Sequence, residues 1–399
     1  MTRTPRQSSV MIATRLFAPE VSAGAFRLAA LARGLSRAGA SVTVITTIPP
    51  RQTQGTPDPE GVSVDRWPVI RDRGGNVRGY LQYASFDAPL LFRLLFRRWR
   101  VVVAESPPTT AIVAWVAALL RRGALVYYAA DVWTDGTIAM GAPRPVIALM
   151  RTMERTALRR AVLTLSVSDE VTERLVALGA DVAKTVTVGN GIDTEIFTPD
   201  VSPAESGTRY FVYTGTMSEW QRPEVFIRAF ARIADEHSDV HLRFFGQGAV
   251  EGDLRRLAQE LVPGRVTFGG VVEPSQSARW IRGAVGALVS IAPGIGYDFA
   301  RPTKTYAAAA CGTPVLFAGA EVGGAIVRDG ALGEAVSFDP AAAADAMRSL
   351  LSAAATGETE RLRPGRAAWA RENVSLTAVG DRAARAVLDV FADQLDPTA

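Results

Sequence analysis

Short β-branched strands alternate with amphipathic helices along most of the 399-residue chain. The alternation is clearest near the start, where residues 10–16 predict a strand, 25–39 a helix and 41–47 a second strand. A strand, a helix and a strand joined by short connections form a βαβ unit, and the two strands of such a unit are parallel. The pattern therefore predicts an α/β fold built on parallel sheets.

The alternation stops at a polar stretch, residues 199–207, and restarts with a strand at 209–213. A chain of this length also exceeds what one ordinary hydrophobic core supports. We expect two Rossmann-like, doubly wound domains, residues 1–198 and 199–375, that face each other across a cleft. A last helix, at about 376–393, is expected to pack back on the first domain. In such folds ligands bind at the carboxyl ends of the strands.

The amino-acid composition is that of a soluble globular protein. Hydrophobic residues make up 48% of the chain and charged residues 21%, as in soluble globular proteins. The formal net charge is only +4, so we expect no nucleic-acid partner. The single cysteine, Cys311, fits a reducing cytoplasm, and the polar N-terminus does not resemble a signal peptide. We expect a soluble, cytoplasmic protein.

Two apolar stretches bear on membrane contact. Residues 111–120 contain no polar side chain, yet they are about half as many as a bilayer-spanning helix needs. Residues 90–103 mix Arg with Leu and Phe and predict an amphipathic helix followed by a buried strand. Such a helix either packs inside a domain, which we favour, or lies on an anionic membrane as a peripheral contact.

Residues 293–317 have the pattern of an anion-binding site. An apolar strand end is followed by a glycine-rich loop and then by an alanine-rich helix that begins at Pro302-Thr303-Lys304 and ends at Gly312. Glycine lets a ligand approach the backbone, and the first N–H groups of a helix carry partial positive charge. We expect Thr303 to cap this helix and Lys304 to add a full charge. The alternative is an ordinary helix start with a solvated lysine.

Few other residues offer catalytic chemistry. The chain has two histidines and one cysteine, too few to predict a transition-metal site, and we expect no metal or other cofactor. Cationic and backbone donors at strand ends suit a diphosphate on which charge develops as it leaves. The donor-binding candidates in the second half are Gly215, Thr216, Arg222, Thr303, Lys304 and Thr305. The candidates in the first half are Glu20, Gly24, Glu105, Ser106, Asp131 and Trp133, each of which could instead cap a helix or shape a turn.

Four motifs follow one another along the chain: residues 24–46, Ser166-Val-Ser168, Val188-Gly-Asn190-Gly191-Ile-Asp193-Thr-Glu-Ile-Phe197-Thr-Pro199, and Pro302-Thr-Lys304 with Cys311-Gly312-Thr-Pro314-Val315. Together they resemble retaining glycosyltransferases of the two-Rossmann GT-B type, family 4. The third motif is similar to the segment that joins the two domains in that family. Tyr213-Thr-Gly215 with Gln221, and Asp131-Val-Trp133, are similar to a bacterial subgroup that assembles surface polysaccharides and includes amino-sugar transferases.

The resemblance implies a nucleoside-diphosphate sugar held mainly by the second domain, transfer with retention of the anomeric configuration, and no essential metal. Arg222 and Lys304 would bind the diphosphate, and Asp131 is the nearest polar substitute for a first-domain His that many members carry. The first-domain loops would hold a glycan, lipid-linked or small-molecule acceptor. Retention needs no protein nucleophile if the acceptor attacks from the face that the diphosphate leaves and a phosphate oxygen takes its proton.

One position departs from the family pattern, because Ala307 stands where the family places a Glu that binds the ribose. We expect a retaining glycosyltransferase that moves a hexosyl or N-acetylhexosaminyl unit to a polysaccharide or lipid-linked precursor, or to a secondary metabolite. The missing Glu leaves a noncatalytic nucleotide-sugar-binding partner subunit as one alternative. An epimerase or phosphorylase of the same fold is another.

Overall fold

The structure, a computed structural model, describes residues 9–20, 22–50, 58–72, 77, 79–205, 207–295, 298 and 301–395. The chain forms two compact units, one made of the residues up to Asn190 and those from Leu376, the other of Gly191–Ser375. Each unit contains one parallel sheet with helices packed on it. The expected fold class, two Rossmann-like α/β domains, is therefore confirmed.

The first unit is built on a seven-stranded sheet in the order β3-β2-β1-β4-β5-β6-β7. Its strands are β1 Ser9–Ala13, β2 Ser41–Thr47, β3 Val62–Trp67, β4 Val101–Glu105, β5 Ala124–Ala129, β6 Leu163–Ser166 and β7 Thr185–Thr187. Its helices up to residue 190 are α1 Ala23–Arg37, α2 Tyr80–Leu95, α3 Pro108–Arg121, α4 Trp133–Ala139, α5 Arg144–Arg160 and α6 Asp169–Leu178. The strand order reverses between β1 and β4, which is where ligands bind in doubly wound sheets.

Alternate side chains of β1 divide the core of the first unit into two layers. Val10 and Ile12 pack in the cluster that includes α1, whereas Met11 and Ala13 pack in the cluster that includes α2 and α3. Successive side chains of a strand point to opposite faces of a sheet, so both faces are covered. The run of apolar residues in β1 is the expected consequence.

The second unit repeats this plan with six parallel strands in the order β10-β9-β8-β11-β12-β13. Its strands are β8 Arg209–Thr214, β9 Val240–Phe245, β10 Val266–Phe268, β11 Gly286–Ser290, β12 Val315–Ala318 and β13 Gly333–Val336. Its helices are α7 Glu224–Ala231, α8 Glu251–Leu261, α9 Pro274–Gly283, α10 Thr303–Ala310, α11 Glu321–Asp329, α12 Pro340–Ala355 and α13 Glu358–Asn373. Here the order reverses between β8 and β11.

The closing helix, α14 Leu376–Leu395, packs along α1 in the first unit. The two helices approach so closely that a Cβ at Gly34 would lie 2.8 Å from the Gly380 carbonyl oxygen, and one at Gly380 would lie 2.4 Å from the Ala30 oxygen. Glycine at both positions lets the backbones touch.

The boundary between the units differs from the expected position after residue 198. The chain passes into the second unit at Gly191. Ile192 donates its backbone N–H to the Val374 oxygen at 2.8 Å, and the side chains of Ile192 and Phe197 pack on the core of the second unit. The joining segment thus belongs to the second unit, where its apolar side chains are partly buried.

The stretches considered for membrane contact fall on two neighbouring helices. Residues 90–95 end α2, and residues 111–120 lie inside α3. No helix in the described part of the chain combines the length and the apolar character of a bilayer-spanning segment.

Candidate functional site

The carboxyl end of β8 is fixed by a buried tyrosine. The Tyr213 hydroxyl lies 2.8 Å from the Thr216 carbonyl oxygen and 2.7 Å from Gln221 Oε1, so it can donate to either. Burial raises the pKa of this hydroxyl, which therefore stays protonated. Gln221 is itself buried, and the hydrogen bond ties the strand end to the loop that follows it.

Two loops pack backbone against backbone beside this strand end. Gly215 donates its N–H to the Phe245 oxygen at 2.8 Å, and Met217 donates to the Gln247 oxygen at 3.0 Å. A Cβ at Gly246 would lie 2.0 Å from the Gly215 oxygen, and Gly246 also has a φ of +125°. Only glycine fits there. In the loop after β8, Gly215 and Thr216 are exposed.

Lys304 lies beneath that loop. Its Nζ atom is 3.8 Å from the centre of the Tyr213 ring, and a Cβ at Gly215 would be 3.7 Å from Lys304 Cε. The residue as a whole is half-buried, but the Nζ atom is fully buried and has no hydrogen-bond partner among the described residues. Burial lowers the pKa of Lys304 to about 7. The Lys304 nitrogen is therefore not solvated, as the alternative expected, and it lies next to exposed backbone without a hydrogen-bond partner in the described structure.

The helix that carries Lys304 begins at Thr303, the residue that was expected to cap it. Pro302 occupies the N-cap position and Thr303 is the first helical residue, so the prediction that Thr303 caps the helix is wrong. Proline suits this position because it has no N–H to satisfy. Thr305 donates its backbone N–H to the Pro302 oxygen at 3.0 Å, and its side chain is buried. No side chain caps this end within the described residues.

Arg222 contacts residues outside this cluster. Its Nε donates to Glu224 Oε1 at 2.8 Å, and its guanidinium lies 5.6 Å from the Phe338 ring centre. The residue has a φ of +46°, a conformation that favours glycine. It borders an open pocket of about 410 Å³ between α7 and α8. Within the described residues, the structure brings Gly215 and Lys304 together but gives Arg222 other partners.

Two of the three acidic candidates of the first unit, Glu105 and Glu20, are engaged in ion pairs. Glu105 accepts hydrogen bonds from Arg27 at 2.9 Å and from Thr14 at 2.8 Å. Gly24 leaves room for this carboxylate, since a Cβ there would lie 2.7 Å from Glu105 Oε1. Glu20 is held by both terminal nitrogens of Arg71, at 2.9 Å and 3.0 Å. These carboxylates position the loops around them.

The remaining candidates of the first unit lie after β4 and β5. Ser106 is buried, and its Oγ accepts from the backbone N–H of Ala130 at 3.2 Å. Trp133 begins α4 and donates its backbone N–H to Glu154 at 2.9 Å. The Asp131 side chain keeps solvent access, yet the protein atoms crowded around it desolvate the carboxyl and raise its pKa.

An aromatic stack adjoins these residues. The Arg15 guanidinium lies 3.9 Å from the Tyr83 ring centre, and the Tyr83 ring meets the Trp133 ring edge to face at 5.9 Å. Arg15 also donates to the Ser106 carbonyl oxygen at 3.2 Å. The stack therefore joins the loops after β1, β4 and β5 at one end of the sheet.

Several of these site residues were not predicted from the sequence. Glu154 gave a usable signal, because it lies on the buried face of α5 with Met150 and Ala157, where a charge requires a partner. Arg27 and Glu105 are 78 residues apart, so their pairing had no local signal. No group of three or more His, Cys, Asp or Glu side chains that could hold a metal ion occurs in the described part of the chain.

Comparison with known proteins agrees with this architecture. The model of the glycosyl transferase 4-like domain matches residues 23–191, and that of the glycosyl transferases group 1 matches residues 208–353. A D-inositol 3-phosphate glycosyltransferase of Xylanimonas cellulosilytica is 31% identical over 250 residues, which are 58% of this chain and 56% of the relative. The match thus spans little more than half the length of that relative.

Solved structures share the fold over nearly the whole chain. Anabaena Alr3699/HepE in complex with UDP-glucose has a TM-score of 0.65 at 15% identity and covers 96% of this chain and 99% of its own. A glycosyltransferase from Rickettsia africae has a TM-score of 0.72 at 14% identity, with 98% and 100% covered. Since the two family models match one unit each and the fold is shared throughout, the chain belongs to the glycosyltransferases of the GT-B type.

Proposed function

We propose that the protein is a retaining glycosyltransferase that uses a nucleoside-diphosphate sugar. It moves a hexosyl or N-acetylhexosaminyl unit to a polysaccharide or lipid-linked precursor, or to a secondary metabolite. The observation that carries the proposal is the Lys304 ammonium, which is buried without a hydrogen-bond partner in the described structure and lies beside the exposed backbone at Gly215.

The second unit is the proposed donor side. A diphosphate oxygen above Gly215 would give Lys304 the partner that it lacks, and its negative charge would raise the pKa of the ammonium. The exposed Gly215 and Thr216, and Thr303 in the first turn of α10, would add backbone donors. Thr305 would support this turn, since its N–H already donates to the Pro302 oxygen. The UDP-glucose in the structure of Anabaena Alr3699/HepE supports a nucleotide sugar as the donor.

The proposed reaction needs no protein nucleophile. The acceptor hydroxyl oxygen bonds to the anomeric carbon on the face from which the diphosphate departs, so the configuration is retained. The bond between that carbon and the diphosphate oxygen breaks, and a phosphate oxygen takes the hydroxyl proton. Lys304 stabilises the departing charge, and we propose that no metal ion is required. Arg222 is assigned to the diphosphate only if it leaves Glu224.

The first unit is the proposed acceptor side. The paired carboxylates Glu20 and Glu105, with Gly24 and Ser106, would shape its loops, and the Trp133 ring would offer a face to a sugar. Asp131 keeps solvent access and is the candidate for contact with the acceptor hydroxyl. The name of the Xylanimonas relative supports a small polar acceptor, and the resemblance to surface-polysaccharide enzymes supports a glycan. We also propose that the protein acts in the cytoplasm.

A donor panel tests the proposal. The protein is incubated with uridine, guanosine, thymidine and adenosine diphosphate sugars, and release of the nucleoside diphosphate is followed. We expect slow release from one class of donor, unchanged after treatment with EDTA. Product isolated with an accepted glycan should keep the donor's anomeric configuration, as read by NMR coupling constants. An inverted product would refute retention, and abolition by EDTA would refute the metal-free step.

A binding subunit without transfer is the second candidate. Ala307, where the resemblance expects the ribose-binding Glu, is buried in the apolar core cluster that includes Ala308 and Tyr306. A carboxylate is therefore absent from that helix position. Tight nucleotide binding measured by calorimetry, together with no turnover of any donor, would favour this candidate over the transferase.

A further inference from the structure

The outward side of α3 is apolar along the helix. Its small residues Ala111, Ala114 and Ala117 face the core. On the other side, Ile112, Val113 and Trp115 are partly exposed but also pack against this core, and Val116 is partly exposed. Leu119 and Leu120, which follow, are 65% and 64% exposed. A helix on the surface of a soluble domain normally places polar residues there. Here residues 111–120 contain none.

The end of α2 extends this apolar side. Arg121 donates to the Leu95 carbonyl oxygen, which joins the last turns of α3 and α2. Next to that junction, Phe92 is 62% exposed and Phe96 is 86% exposed. We call the outward side of α3 together with Phe92 and Phe96 the α2–α3 surface. Large side chains this exposed and this close together mark an interaction site.

The margin of the α2–α3 surface is basic. Arg97, Arg98, Arg121 and Arg122 are exposed at the two helix ends, and the Arg160 guanidinium lies 5.3 Å from the Trp115 ring centre. Of these, Arg97 pairs with Asp65 at 2.8 Å. The helix α3 has no acidic residue, and Asp87, the one acidic residue of α2, is buried. The surface therefore combines an apolar centre with a positive margin.

We propose that the α2–α3 surface docks on an anionic lipid bilayer. The apolar side chains would enter the boundary between headgroups and acyl chains, and the guanidinium groups would pair with lipid phosphates. Charge distinguishes this occupant from others, since a second copy of the chain would bring the same arginines together. The inference does not depend on glycosyl transfer, so it can fail or succeed separately from the proposed function.

Vesicle flotation tests the docking surface. The full chain is mixed with phosphatidylcholine vesicles, with or without phosphatidylglycerol. We expect flotation only with phosphatidylglycerol, weakening as salt is added. The triple variant Phe96→Gln, Leu119→Gln, Leu120→Gln should lose at least about tenfold in partition coefficient, because three exposed side chains no longer leave water. Glutamine preserves helix propensity at positions 119 and 120, so folding should be retained.

One control variant and one further test variant complete the experiment. Val182, Val271 and Val322 are 67%, 68% and 52% exposed elsewhere on the chain, and their triple change to Gln should leave binding unchanged. Arg98→Gln with Arg122→Asn should weaken binding by about fivefold per charge. Asparagine is chosen because Arg122 has a φ of +57°, which Asn tolerates.

Three outcomes would overturn the proposal. The wild-type chain could ignore anionic vesicles, or the Gln variant of the α2–α3 surface could bind them as tightly as wild type. Light scattering could instead find a dimer that this variant converts to a monomer. That last result would assign the surface to an interface between copies of the chain.

Discussion

The two units differ in how charged side chains near the carboxyl ends of their strands are neutralised. In the first unit, Glu105 is paired with Arg27 and Glu20 with Arg71, each at 2.9 Å. In the second, the buried Lys304 ammonium faces the Tyr213 ring and has no hydrogen-bond partner within the described residues. A paired charge is held in place by its partner, whereas an unpaired buried charge costs free energy until a ligand supplies one. The difference separates residues that support the fold from the residue best placed to bind an anion.

Breaking the ion pair between Glu105 and Arg27 should have the largest effect on stability. Glu105→Ala leaves Arg27, whose side chain is 5% exposed, buried without its partner. We expect the free energy of unfolding to fall by about 3–5 kcal/mol, measured by urea denaturation. Asp381→Ala is the matched control, because it breaks the exposed pair that Arg37 makes on the same helix and should cost less than about 1 kcal/mol. Equal losses for the two variants would contradict the assignment of Glu105 to the fold.

Removing the unpaired charge should lower turnover without lowering stability. Lys304→Ala is expected to lower kcat by about 100- to 1000-fold, since it removes one charged donor at the leaving diphosphate. The melting temperature should stay level or rise, because the variant also removes a buried ammonium without a partner. Lys184→Ala is the control: the only other lysine is exposed and pairs with Asp181 at 3.7 Å. Near-normal turnover in Lys304→Ala would exclude Lys304 from the diphosphate site.

The sequence could predict features that depend on local spacing, but not those that depend on contacts between distant residues. Strand and helix periodicity is local, so the alternating pattern was enough for two parallel sheets and for the position of α10. The structure passes into the second unit at Gly191 and not after residue 198, because Ile192 and Phe197 pack on a core formed by residues far away in the sequence. The Lys304 candidate followed from its place at a helix start, but the burial of its Nζ atom depends on Tyr213, 91 residues earlier by number. Contacts between residues this far apart in the sequence cannot be predicted from local spacing.

The pH dependence of the free energy of unfolding tests whether Lys304, unlike the paired carboxylates of the first unit, carries a buried charge without a partner. Lys304 has a pKa of about 7 in the folded chain against the ordinary value of 10.5 in the unfolded chain, so between these limits the unfolded chain holds a proton that the folded chain lacks. Stability must then rise with pH, and the cost of the buried ammonium is complete only below about pH 7. We expect Lys304→Met to be more stable than wild type at neutral pH. The difference in the free energy of unfolding between the variant and wild type should shrink by up to about 1.4 kcal/mol per pH unit above pH 7. A difference that is constant with pH would mean that the ammonium is solvated.

The smallest effect is expected at Arg222, the second cation assigned to the diphosphate. Its φ of +46° is strained for a side chain with a Cβ, so Arg222→Gly should leave stability within about 1 kcal/mol of wild type, with the relief of strain opposing the greater freedom of the unfolded chain. Because its Nε is paired with Glu224, turnover should fall less than tenfold, far less than in Lys304→Ala. Steady-state kinetics with the accepted donor measures both variants side by side. If Arg222→Gly lost as much turnover as Lys304→Ala, the guanidinium would have to leave Glu224 in the donor complex, and the site would then use two cations rather than one.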